Sequence, residues 1–279
     1  VRYSKPTDRQ LTHLLTQILP AAQAAGAVSG PGGLGSGALR IETRAGALAA
    51  RPALWPGLPG VYLRRQQRAL CRAGEGIGPR VLGCTAQWLV CEWLEGDVKP
   101  AIGEGDIAPL AAVLQRLHQR PLFGWRVPVL WLVNYYWQAA DPARRSPGWL
   151  RVLKRLTQRR EPRPLRLAPL HMDIHSGNIV WQPAGLRLID WEYAGDGDIA
   201  LELAAAGVES EHQRQLLIAE YARLSGIDRQ RLACQVDRWR PWTGLLAASW
   251  YEQRWQQTGD TEFIALAETQ WSALRRWLN

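Results

Sequence analysis

The chain has 279 residues, 34 Lys and Arg against 25 Asp and Glu, and 47% hydrophobic residues, an ordinary globular balance with ample material for a core. No apolar run approaches the roughly 20 residues that span a bilayer, and the first residues lack the basic, apolar and small-residue order of a secretory leader, so a cytoplasmic protein with no membrane partner is expected. Cys71, Cys84, Cys91 and Cys234 form no CxxC pair and have no His at ligand spacing, which predicts reduced cysteines and no zinc site.

Residues 10–19 carry Leu11, Leu14, Leu15, Ile18 and Leu19 at helical spacing. The following run, 29–37, is glycine-rich, and Gly30, Gly32 and Gly35 satisfy G-x-G-x-x-G. Two readings stay open for it. One is a surface loop; the other is a turn whose missing side chains let backbone N–H groups approach phosphate oxygens. The Ala-rich stretch before it, 21–28, has poor strand character. Residues 38–42 and 47–51 are candidate strands, 61–71 a helix, and 81–82 and 88–91 closing strands of a small sheet. Glu92, Leu94 and Gly96 follow as a connecting segment.

Asp106 is placed to cap a helix carrying Ile107, Leu110, Ala111, Leu114 and Leu117. His118 at its end reads as a structural hydrogen-bonder. An aromatic group follows: Phe123, Trp125, Trp131, Tyr135, Tyr136 and Trp137. Between 140 and 168 nine Arg or Lys stand against Asp141 and Glu161. The apolar residues of 149–156 recur at helical spacing, so the basic ones read as a solvated face, with an anion or polynucleotide surface as the other reading. After residue 202 the chain reads as helical to its end, and 12 of the 15 tryptophans follow residue 120.

Residues 171–202 form the densest chemistry in the chain. Asp173, Asp190, Glu192, Asp196, Asp198 and Glu202 stand against Arg187 alone, a local charge of −5 where the whole chain is +9. A divalent metal is the first explanation for so much carboxylate. His171-x-Asp173 followed by Asn178 has the form H-x-D-x-x-x-x-N, and Asp190 comes twelve residues after Asn178. In phosphoryl transfer one carboxylate meets the attacking hydroxyl, while an amide oxygen and a second carboxylate hold Mg²⁺ on the phosphates. Residues 179–181 and 186–189 read as two strands around a turn at 182–185. Pairing Gln182 with Leu186 sets Asn178 opposite Asp190; pairing Trp181 with Leu186 sets it opposite Ile189. Both bring Asn178 and Asp190 to the open end of the hairpin, with Asp173 on the loop leading in.

These residues resemble the catalytic core of the aminoglycoside phosphotransferase/choline kinase superfamily, and LHMDIHSGNIV and LIDWEYAGDGDIALELA are similar, more closely still, to bacterial thiamine kinases. The resemblance extends to QQRALCRAG, FGWRV, DPARRSPGWLRVLKRL and EPRPLRL. It implies an α+β, protein-kinase-like bilobal fold: a small β-rich nucleotide lobe over 1–95 and a larger, mostly helical catalytic and acceptor lobe over 96–279. It implies Asp173 as catalytic base and Asn178 and Asp190 as Mg²⁺ ligands. It further implies Gly32, Gly33 and Gly35 over the ATP phosphates, Arg51 in place of the usual phosphate-binding lysine, and the backbone of Glu92 and Leu94 at adenine. Gln66 stands where a helix glutamate is expected to hold that cation, so an Arg–Gln contact is expected.

For the acceptor, thiamine carries one thiazolium charge and a flat pyrimidine, and Trp faces attract organic cations. Trp191, Glu192 and Tyr193, directly after the metal Asp, are the acceptor candidates. Choline, ethanolamine or an aminoglycoside remain as other acceptors, and a degenerate kinase used as a binding protein as another role. A monomer acting on thiamine and ATP with Mg²⁺, and binding no nucleic acid, is expected.

Overall fold

Leu48 and Ala50 alternate with Ala49 and Arg51 along one strand, and this period of two gives the small sheet different chemistry on its two faces. The computed structural model describes residues 8–19, 28–29, 38–53 and 62–278. Helix α1 (Asp8–Ile18) lays Leu11, Leu14 and Leu15 on a sheet of β1 (Val28–Ser29), β2 (Leu39–Thr43), β3 (Gly46–Pro52), β4 (Val81–Cys84) and β5 (Trp88–Glu92). The strands run antiparallel in the order β1-β2-β3-β5-β4. Ile41, Leu48, Ala50, Trp88 and Val90 meet the α1 leucines in a small core. Leu89 and Cys91, on the other face, join Leu63, Ala69, Leu70 and Ala73 of α2 (Leu63–Ala73) and the main core. Ala49 and Arg51 are thereby left facing the cleft beneath the sheet.

The larger lobe is helical, with α3 (Ile107–His118), α4 (Val129–Ala139), α5 (Pro147–Arg159), α6 (Ile199–Ala205), α7 (Glu211–Ser225), α8 (Arg229–Thr258) and α9 (Glu262–Leu278). Helix α3 buries Ile107, Leu110, Ala111, Leu114 and Leu117, the spacing expected of it. Asp106 does not cap it. Its carboxylate accepts the Gly103 N–H at 3.0 Å and pairs with Lys99 at 2.5 Å, closing the short turn that precedes the helix. Ser146 caps α5 through the Trp149 N–H at 3.1 Å, and Trp149, Val152, Leu153 and Leu156 are its buried face. Arg151, Lys154, Arg159 and Arg160 are exposed, as a solvated basic face requires.

Two small antiparallel pairs sit between the lobes: β6 (Leu167–Leu170) with β9 (Gly195–Asp198), and β7 (Ile179–Gln182) with β8 (Gly185–Leu188). The segment that leaves the sheet is fastened to the second pair. Asp97 and Trp181 exchange backbone hydrogen bonds at 3.0 and 2.8 Å, and Gln182 Nε2 donates to the Glu95 carbonyl at 2.6 Å. Gly96 permits this approach, because a Cβ there would lie 2.3 Å from the Trp181 oxygen. The cysteines are free, and no described helix is long and apolar enough to cross a membrane.

Candidate active site

Strand β6 delivers the chain to His171, where the backbone leaves the sheet and must be held by other groups. The buried carboxylate of Glu202, on α6, accepts the N–H groups of His171 at 2.8 Å and Met172 at 2.6 Å. Its other oxygen meets His118 Nε2 at 2.8 Å, and His118 Nδ1 meets the Tyr221 hydroxyl at 2.7 Å. His118 is the structural hydrogen-bonder its sequence position suggested. Met172 has φ +68°, a left-handed conformation that costs a non-glycine residue energy and persists where neighbours over-determine it. Glu202 supplies that restraint.

His171 ties two loops together. Its Nε2–H donates to the Ile189 carbonyl at 2.9 Å, and Nδ1 accepts the Asp173 N–H at 3.3 Å. A carbonyl can only accept and an N–H only donate, so the ring is the neutral Nε2–H tautomer. Burial lowers its pKa in agreement with this. Its ring packs edge-on against Trp191, centroids 4.7 Å apart.

Trp181 pairs with Leu186 in the β7–β8 hairpin, so Asn178 lies opposite Ile189 and accepts its N–H at 3.0 Å. The register with Asn178 facing Asp190 is not adopted. Asp190 instead turns out one residue later, at φ +66°. Asn178 Nδ2 donates to the carbonyl of Asp173 at 2.9 Å and to its Oδ2 at 2.8 Å. The Asp173 carboxyl is pushed up to about 7, first by burial and then by the charge of Asp190, with Asn178 and Arg51 opposing. Asp173 and Asp190 both line the cleft.

Arg51 reaches this cleft from β3. It donates to Asp190, and Glu192 lies 4.0 Å away. The expected Arg–Gln contact is replaced by this ion pair: Gln66 is buried on α2 and lines the same cleft, but a carboxylate attracts the guanidinium more strongly than a neutral amide does. Gly32, Gly33 and Gly35 lie outside the described residues. Glu92 and Leu94 both line the cleft, and the Glu92 side chain accepts Arg187 Nη2 at 2.6 Å and the Arg80 N–H at 2.9 Å. Trp191 borders the cleft but is only 2% exposed, packed on His171 and Phe123 and donating to the Leu188 carbonyl at 2.8 Å. Glu192 lines the cleft, its carboxyl pushed up to about 7 by burial and by Asp190.

The acidic segment therefore divides by role. Asp173, Asp190 and Glu192 face the cleft. Asp196 is spent on the N–H groups of Phe123 and Gly124, both at 2.7 Å. Asp198 accepts Gln235 Nε2 at 2.7 Å and Trp239 Nε1 at 2.8 Å, fastening β9 to α8. With Glu202 these are three buried anchors, and a metal is not needed to explain them. Gly195 and Gly197, alternating with Asp196 and Asp198, were the sequence signal that both aspartates share a strand face.

For a metal, the donors that remain are suitable. Asn178 has spent its N–H₂ on Asp173, which leaves its carbonyl oxygen, and Asp190, which lines the same cleft, offers a carboxylate: hard oxygen ligands of the kind a small divalent cation takes. Among the described residues no trio of His, Cys, Asp or Glu is arranged to hold a metal, so such an ion would draw its other ligands from phosphates and water.

Beyond Glu192 the cleft, of about 1970 Å³, runs between α8 and α9. Tyr193 accepts Trp250 Nε1 at 3.2 Å. Trp250, Tyr251 and Phe263 touch one another with centroids 5.5 to 6.4 Å apart. Tyr193 and the tryptophans were legible in the sequence, but Phe263 was not, since nothing local shows that residues 250 and 263 meet.

Comparison with known proteins agrees with this geometry. The family model described as "Phosphotransferase enzyme family" matches residues 8–234. Two curated relatives, thiamine kinases of Salmonella paratyphi B and Salmonella typhi, are each 47% identical over 268 residues, covering 96% of this chain and 95% of theirs. A choline/ethanolamine kinase family protein from Mesorhizobium loti has a similar fold, with a TM-score of 0.74 at 20% identity, covering 96% of this chain and 93% of that one. The aminoglycoside phosphotransferase APH(4)-Ia shares it at a TM-score of 0.66 and 17% identity, over 90% and 95% of the two chains. The bilobal, protein-kinase-like fold, the convergence of Asp173, Asn178, Asp190 and Arg51, and a match over most of its length establish that this chain is an enzyme of the phosphotransferase family.

Proposed function

We propose that the chain transfers the γ-phosphoryl group of ATP to the hydroxyl of thiamine, giving thiamine monophosphate, with Mg²⁺ held by Asn178 and Asp190. The observation that carries this reading is the joining of two halves in one cleft: a carboxylate pair with a cation at one end, and an aromatic wall with Glu192 beside it. The 47% identity to thiamine kinases supports the acceptor.

ATP would lie under the sheet, against Ala49, Leu94 and Val180, which line the cleft. Arg51 is placed to donate to its phosphates, exchanging Asp190 for phosphate oxygens. Mg²⁺, when bound, neutralises phosphate charge and fixes the γ-group in line. Asp173 orients the acceptor hydroxyl and takes its proton; Asn178 Nδ2 holds the carboxylate in place for this. The thiazolium charge is matched by Glu192, and the flat rings by Trp250, Tyr251 and Phe263.

The test is ADP release with thiamine, choline, ethanolamine and an aminoglycoside, each with and without Mg²⁺. Mg²⁺-dependent ADP release with thiamine above the others is expected. Equal or better turnover of another acceptor would reject the assignment.

A further inference from the structure

The aromatic wall already holds a cation. Arg254 stands one helical turn after Trp250 on α8, so both side chains share a face. Its guanidinium carbon lies 5.6 Å from the Trp250 ring centre and 5.7 Å from that of Phe263, on α9. Those are cation–π distances. Trp250, Tyr251, Phe263 and Arg254 all line the cleft. The wall also borders the chemistry: Trp250 is tied to Tyr193, three residues past Asp190, and the charge of Asp173 helps raise the Tyr251 phenol pKa behind the larger effect of burial.

Arg254, half-buried, is weakly secured for a cation. Its Nε is buried and has no hydrogen-bond partner among the described residues. Nη1 donates to the neutral Gln257 amide oxygen at 3.3 Å. No carboxylate among the described residues lies within ion-pairing distance of it, in contrast to Arg51 with Asp190 and Arg144 with Glu252. What holds the guanidinium in place is the two ring faces. Carboxylates are nearby should it leave: Asp260 and Glu262, just past Gln257, line the same cavity.

We propose that Arg254 is a specificity-determining residue, a built-in cation that occupies the aromatic faces and must be displaced by the acceptor. The proposal rests on the reading that the acceptor is a flat organic cation. A bare ammonium alcohol offers charge alone and replaces one cation–π contact by another, with little gain. A heteroaromatic cation offers charge together with a stacking face, and covers ring area that the guanidinium vacates. Competition from Arg254 thus selects flat cations over compact ones.

The test is Arg254→Met, which keeps an apolar stem and removes the charge. Two readouts separate this proposal from the thiamine assignment. In ADP release, the ratio of kcat/KM for choline to that for thiamine is expected to rise on the order of tenfold, through a lower choline KM, with KM for ATP unchanged. In direct binding, tetramethylammonium followed by tryptophan fluorescence is expected to bind more tightly to the variant than to the wild type, whatever the true acceptor is. Arg254→Lys keeps a charge without the flat fork and is expected to retain rejection of the bare ammonium. Unchanged tetramethylammonium affinity in Arg254→Met, or a raised thiamine KM with no gain for choline, would overturn the proposal. Wild-type failure to use thiamine, with tighter tetramethylammonium binding in Arg254→Met, would sink the acceptor assignment and leave this one standing.

Discussion

Arg51, on the third strand of the small sheet, is ion-paired across the cleft with Asp190, 139 residues later in the chain. Both side chains are only 16% exposed, so water screens the pair weakly. Incoming phosphates must compete with Asp190 for the guanidinium. Arg51→Met should therefore raise the KM for ATP. Losing a hydrogen bond to a charged group is worth about 1.5–3 kcal/mol, on the order of 10- to 100-fold. The acceptor KM should move far less. Equal changes in both constants, from initial rates at varied ATP and acceptor, would contradict this role.

Asp173→Asn removes the proton acceptor while keeping size and shape. General-base help is worth about 10²–10⁴ in rate, so kcat should fall by that order. ATP affinity, measured by calorimetry, should stay close to wild type, since Asp173 meets the hydroxyl and not the nucleotide. A variant with full turnover would remove Asp173 from its assigned role.

Glu202 and Glu192 stand ten residues apart in one acidic segment and should respond in opposite ways. Glu202→Ala strands the buried His171 N–H and His118, and the half-buried Met172 N–H. Breaking a buried charged network costs about 3–5 kcal/mol, so a large drop in Tm is expected. Glu192→Gln should leave Tm nearly unchanged and raise the acceptor KM. Thermal melts of the two variants, set beside their acceptor KM values, check both halves.

His171 makes stability depend on pH. Burial holds its folded pKa below the ordinary 6.5. Below pH 6.5 the unfolded chain takes up a proton that the folded chain refuses, so stability falls as pH falls. The slope approaches about 1.4 kcal/mol per pH unit for one such group. His171→Asn lacks this penalty. The Tm advantage of wild type over the variant should therefore shrink from pH 7.5 to pH 5. A constant difference across that range would show that His171 titrates normally.

Much of this was readable beforehand, for reasons that differ by residue. Leu48 and Ala50 against Ala49 and Arg51, or Ile107 to Leu117 on α3, follow from periodicity, which is local. Asp173, Asn178 and Asp190 are 18 residues of chain joined by a hairpin, so either register brings them together; choosing between the registers needed the turn geometry itself. The partners of Asp196, Asp198 and Glu202 were not readable. A carboxylate that holds a metal and one that caps buried N–H groups are the same letter, and the deciding contacts lie 30 to 84 residues away. Arg51 was found by position, but its partner was misjudged for the same reason.

The fastening around Gly96 joins the sheet to the catalytic hairpin through a very short link. Trp93 donates its N–H to Ala47 and so belongs to the sheet, while Glu95 and Asp97 are bonded to the hairpin that carries Asn178. Leu94 is the one residue between the two attachments. Leu94 also lines the cleft where the nucleotide is proposed to lie, so ATP would rest on the single-residue link between sheet and hairpin.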